Sequence, residues 1–154
     1  MTIGTQEGKQ AKAPPSPNSD FYELAQTLNA EKPAVLKQVQ FGRPIASFQL
    51  IQGLLARMLA NVTASQCMVV RTAQLHAEGK LGDHHAALAK AFCTCRMRET
   101  VAWAREILGG NGISTDYNVA RFFTDAEVIY NYEGTYQMQN LIVGKAITGF
   151  SAFV

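Results

Sequence analysis

Glu133 sits in the run YEGT (132–135), between Tyr132 and Gly134, and offers the most definite chemistry in the chain. A carboxylate at a break between two helices can be a solvated loop acid. Apolar and aromatic neighbours on both sides, Ile129, Tyr130, Tyr132 and Tyr136, instead predict partial burial. Burial raises the pKa of a carboxyl group towards the range useful for a general base. The second candidate is LGGNGI (108–113). It lacks the Lys-Ser/Thr end of a P-loop and does not follow a strand, so it is neither a P-loop nor a dinucleotide fingerprint. It reads either as a helix C-cap with a tight turn or as exposed amide N–H groups that could approach a bound cofactor closely.

The other chemistry-bearing residue types do not converge. His84 and His85 are adjacent, His76 is remote, and Cys93 and Cys95, two apart on a helix, point to different faces. No three or four ligands share metal spacing, so no metal site is expected. Cys67, Cys93 and Cys95 make no disulfide framework and read as buried thiols of a reducing compartment.

The elements that must position Glu133 are helical. Nothing alternates with period two over a useful length, so strands are not expected. Residues 1–19, ending AKAPPSPNS, read as a disordered tail. Asp20 with Glu23 fits a capping box that opens a short helix or linker over 20–39, stopped or kinked at Pro33. Pro44, a favoured first helical residue, starts a long helix with apolar residues three and four apart, ending near Gly79. Asp83 caps the next, from about His84 to Leu108, with Leu88, Phe92, Cys95, Ala102 and Trp103 as its buried side and Lys90, Arg96, Arg98 and Arg105 as its charged positions. Gly109 and Gly110 end it. Ser114 to Asp116 caps a fourth segment, in which Val119, Phe122, Phe123, Ala126, Ile129 and Tyr130 fall on one face. Gly134 breaks that helix, and Thr135 caps the last one, from about Tyr136 to Ile147, with Met138, Leu141, Ile142 and Ala146 as its apolar side. The fold class is all-α, an up-and-down four-helix bundle.

Composition agrees with a packed helical domain. Of the 154 residues 47% are hydrophobic and only 17% charged, which excludes general disorder. A formal net charge of +2 gives no strong field for nucleic acid or an anionic membrane. No uninterrupted apolar run reaches the roughly 18 residues of a transmembrane span. The first residues have no apolar h-region and little Arg, and SAFV is not a peroxisomal tripeptide. A bacterial cytoplasm is expected, or the mitochondrial matrix or peroxisome in a eukaryote.

Three blocks in order carry a resemblance: QFGRPIASFQLIQ (40–52), EILGGNGI (106–113) and YNYEGTYQMQNLIVGKAITGF (130–150). From residue 40 to 154 the chain resembles the C-terminal helical domain of the acyl-CoA dehydrogenases, and its ending is most similar to the glutaryl-CoA dehydrogenase branch. The resemblance implies an FAD flavoprotein that oxidises an acyl-CoA thioester to the 2,3-enoyl-CoA. Glu133 would take the α-proton as the catalytic base, and Gly134 would lie against the substrate. Thr135 and Gln137 would touch FAD, Phe41 and Gln49 would line it, and Gly109 and Gly110 would reach the adenosine half of an FAD held mainly by a neighbouring subunit. The partners implied are an acyl-CoA and a second copy, in a dimer or tetramer, or a chain carrying missing domains.

The departures are specific. Gln38 stands where the family usually has an Arg that binds the FAD pyrophosphate, and Glu106 stands where it usually has Gln. Upstream of Val39 the likeness stops abruptly, and residues 20–39 are not expected to be family-like. The family's N-terminal helical domain and β-barrel-like middle domain have no room in this chain. Two functions follow: a catalytic component that is completed by those domains on another chain, or a truncated, non-catalytic helical oligomerisation module.

Overall fold

The computed structural model describes residues 37–153, so the tail at 1–19 and the helix expected from Asp20 lie outside the described residues. The first described element departs from the helical expectation. Two short strands, β1 (Val39–Gln40) and β2 (Arg43–Pro44), pair antiparallel with Val39 opposite Pro44 and Gln40 opposite Arg43. Phe41 and Gly42 form the loop between them, at φ 53° and 76°. Positive φ at both loop residues is the turn whose twist matches paired strands. Strands this short cannot show alternation, so the sequence pattern is silent about this hairpin. Ile45 donates its N–H to the Gln38 carbonyl at 2.9 Å and closes it.

A 3-10 turn follows (Ile45–Ser47), and helix α1 runs Gln49–Ala77. The long helix therefore starts later than Pro44, because Pro44 and Phe48 both hold extended ψ angles, 138° and 137°. Its end is as the sequence predicts: Gly79 is left-handed at φ 67°, with Gly79 N–H on the His76 carbonyl and Lys80 N–H on the Leu75 carbonyl. That pair of bonds satisfies the last carbonyls of the helix.

Helix α2 (Asp83–Ile107) is capped by Gly82 rather than Asp83, and the Gly82 N–H donates to His85 Nδ1 at 3.0 Å. A second 3-10 turn (Gly109–Ile113) leads to α3 (Asn118–Asn131) and α4 (Tyr136–Thr148). Ser114 and Asp116 form a local turn before α3 instead of capping it, since the N-cap residue is Tyr117 and makes no side-chain bond. Thr135 caps α4 as expected, its Oγ1 accepting the Met138 N–H at 3.4 Å, and Gly149 closes the helix at φ 79°.

α2 is the hub of the bundle: α1, α3 and α4 each pack against it. Helices approach closely where side chains are small, so the core on α2 is Ala87, Ala89, Ala91 and Thr94, with Ile107 and Leu108 at its far end and Ala126 from α3. The face set by larger residues is displaced accordingly. Leu88, expected to be buried, is 47% exposed. Among the described residues no large side chain is fully buried, while Phe41, Leu50, Ile147 and Phe150 are almost bare. By length and composition α1 is apolar enough to cross a bilayer. In the fold it lies on α2, tied by Asn61 Nδ2, which donates to the Arg96 carbonyl and Glu99 Oε2 at 3.3 and 3.1 Å.

Candidate functional site

The α3–α4 break holds Glu133 in an uncommon backbone state. Tyr132 is extended, Glu133 is left-handed at φ 54°, Gly134 follows at φ 90°, and Thr135 is extended again. Left-handed backbone costs a residue with a Cβ about 1–2 kcal/mol, so it persists only where surrounding contacts enforce it. Those contacts are present. Lys90 Nζ, from α2, donates to the carbonyls of Tyr132 and Gly134. Gln139 Nε2, from α4, donates to the carbonyls of Glu133 and Gly134 at 3.0 and 3.2 Å. Three consecutive peptide carbonyls are thereby fixed. A Cβ on Gly134 would lie 2.5 Å from Gln139 Nε2, so the Gln139 amide would have to move, and the φ of 90° itself favours glycine.

Glu133 itself is exposed, contrary to the burial expected from its aromatic neighbours. The tyrosines are engaged elsewhere. Tyr130 and Tyr136 stack on each other with centroids 5.9 Å apart, and Arg98 of α2 sits 4.2 Å over the Tyr130 ring. The Arg98 Nε donates to Glu127 Oε1 at 2.7 Å, and that bond holds the guanidinium above its ordinary pKa. Tyr132 leans towards Lys90 and stays half-exposed. Glu133 therefore projects outward from a backbone held by Lys90 and Gln139.

A second group of the expected residues meets at the opposite end of α2. Phe41, Gly109 and Gly110 line one cleft of about 440 Å³ with Gln38, Glu106 and Asn111. Gln49 is the exposed first residue of α1, and its neighbours Phe48 and Leu50 line that cleft. Phe48 packs edge-on against Phe41 at 6.2 Å, with the Arg43 guanidinium 4.1 Å over its ring. Gly112 sets the loop, because a Cβ there would meet the Arg105 carbonyl oxygen at 2.1 Å. Glu133, Gly134, Thr135 and Gln137 belong to the other end. Lys90 and Glu106 are sixteen residues apart on α2, about 24 Å along its axis. Sequence reasoning named the two groups but missed Lys90 and Gln139, which organise the first. Lys90 reads only as a charged helix position, and Gln139 falls next to the apolar side of α4, where it is nonetheless the one buried residue of that helix.

The thiols form no site. Cys67 is exposed, against the expectation of burial, in the open cleft between α1 and α2. Cys93 faces the Ser65 carbonyl at 3.7 Å, and burial pushes its thiol pKa up.

Comparison with known proteins decides what kind of domain this is. Residues 28–148 match the family model described as acyl-CoA dehydrogenase, C-terminal domain. The chain belongs to the acyl-CoA dehydrogenase family. The match begins upstream of Val39, where the motifs end. An acyl-CoA dehydrogenase of Bacillus subtilis is 39% identical over 113 residues, which are 73% of this chain and 30% of that protein. A solved glutaryl-CoA dehydrogenase from Mycobacterium smegmatis superposes with a TM-score of 0.77 at 32% identity, covering 82% of this chain and 33% of that one. Another structure of a glutaryl-CoA dehydrogenase from that organism, in complex with FADH2, gives 0.73 at 28% identity, covering 83% of this chain and 33% of that one. This acyl-CoA dehydrogenase C-terminal domain thus spans about a third of the length of the relatives it matches.

Proposed function

We propose that this chain supplies the catalytic base of an acyl-CoA dehydrogenase, acting together with the family's other domains. Glu133 takes the α-proton of an acyl-CoA thioester. The observation that carries the reading is the clamp on residues 132–134. A thioester α-proton is only weakly acidic, so its base must be close, fixed and dry. Lys90 and Gln139 supply the fixing. The dryness must come from a complementing surface, since Glu133 is exposed on this chain.

FAD is the hydride acceptor that the family membership suggests, and the residues here fit it unevenly. Gly134, Thr135 and Gln137 offer backbone and uncharged polar groups beside Glu133. The cleft at the other end offers Phe41, Gly109 and Gly110 for an uncharged part of the molecule. It does not fit a diphosphate, because the one ionisable side chain in its lining is the carboxylate of Glu106. Arg43, stacked over the Phe48 ring, puts a cation at the edge of the cleft, and a second copy or further domain would add to it. The separation of about 24 Å between the two groups of residues supports a composite site, in which each end of α2 serves a different cofactor molecule.

A second reading has its own support. Phe41, Leu50, Phe150 and Ile147 are each more than three-quarters exposed, and such surface favours association of the bare domain as a dimer or tetramer without catalysis. Co-purification with a chain that carries the N-terminal and middle domains separates the two. A coloured complex with one flavin per pair supports the catalytic component. A colourless self-associated chain that ignores the added domains supports the module.

A further inference from the structure

We propose that Lys90 and Gln139 are positioning residues for Glu133, acting through its backbone and not through its carboxylate. The meaning of that placement for catalysis rests on reading Glu133 as the base, but the clamp stands on its own geometry. Glu133 is one of two described residues other than glycine with positive φ. Its own preference is for negative φ, and neither flanking helix continues through it. The left-handed state is set from outside: α2 reaches in with Lys90, forty-two and forty-four residues from the carbonyls it holds, and α4 folds Gln139 back over the break. Lys90 is a flexible donor with three N–H bonds, of which two are engaged here. Gln139 is only 8% exposed, so its amide stays aimed at the break. With the φ of Glu133 fixed, its Cα–Cβ bond has one direction, and the carboxylate swings only about its side-chain torsions. Removing Lys90 frees two carbonyls at once and lets Glu133 return to negative φ, which turns the side chain away from where it now projects.

The test reads the backbone directly. Positive φ brings a residue's amide and α protons close together, so the intraresidue amide–α NOE of Glu133 in the labelled full chain is expected to be strong. In Lys90→Met it falls to the strength seen at Asn131, while the α2 and α4 amides keep their positions. Lys90→Arg, which can still donate to both carbonyls, restores it. A cross-peak that stays strong in Lys90→Met overturns the proposal. If that variant does not fold, Gln139→Leu takes its place: a weakened Glu133 cross-peak supports the clamp, and one of undiminished strength overturns it. With the complementing domains present, Lys90→Met is expected to lower kcat about a hundred-fold with KM and flavin content unchanged. A loss of flavin in place of a loss of kcat would make Lys90 merely structural. Failure of the base reading looks different: Glu133→Gln would keep full activity while the NOE results stand.

Discussion

Two places in this molecule use the same backbone device. Phe41-Gly42 and Glu133-Gly134 are both pairs of left-handed residues in which only the second is glycine, at φ 53° and 76° and at φ 54° and 90°. At the hairpin the device is local. Two very short strands and one closing bond from Ile45 hold it, and Gly42 has open space around the place of a Cβ. At the helix break the device is held by Lys90 from α2 and by Gln139 from the first turns of α4, whose amide lies against Gly134. A strained pair held locally makes a turn. A strained pair held by α2 and α4 together makes a firmer support, and Glu133 stands on it.

The contrast breaks most visibly at the glycines. Gly134→Ala adds strain and displaces the Gln139 amide from its carbonyls and is expected to cost about 2 kcal/mol, whereas Gly42→Ala adds strain alone and costs about 1 kcal/mol. Urea unfolding of the two variants measures the difference, and equal losses would mean that the two turns are held alike. Side-chain donors give a smaller contrast. Gln139→Leu strips the Glu133 carbonyl of its donor in a part-buried setting and should cost about 1 kcal/mol. Gln52→Leu removes an exposed bond to the Ala46 carbonyl beside the hairpin and should stay within about 0.5 kcal/mol of the parent. The smallest effect sharpens the contrast from the other side. Glu133→Gly relieves the left-handed strain and should stabilise the chain by about 1 kcal/mol. Phe41→Gly relieves the same strain but loses the edge-on contact with Phe48, so thermal melting should show little net change.

What was legible in the sequence is what local chemistry determines. Gly79 ends α1, Gly109 ends α2 and Thr135 caps α4, because a left-handed cap or a hydroxyl at the N-cap acts on its own turn. The blocks around Phe41, Gly109 and Glu133 were legible as motifs, and they located both ends of the bundle. What tertiary packing decides was not legible. Leu88 turned outward because three helices crowd α2 and select its alanines for contact. Glu133 is exposed because Tyr130 and Tyr136 stack with each other and Arg98, an arrangement no spacing rule contains. Gln139 is buried on a helix whose apolar side lies elsewhere, because the backbone of the break needs its amide. Leu50 and Phe150 stay exposed on a chain that spans about a third of the length of its relatives, and no apolar spacing in the sequence marks them as bare.

On the proposed reading, Glu133, held at the break, removes a proton from an acyl-CoA in the presence of the family's other domains. The direct measurement is anaerobic addition of an acyl-CoA to the reconstituted flavin-loaded complex, following the visible flavin band. The parent chain should bleach it. Glu133→Gln should hold the same amount of flavin and bleach it roughly a thousand-fold more slowly, within the range a positioned base contributes. Bleaching at the parent rate by Glu133→Gln would contradict the account.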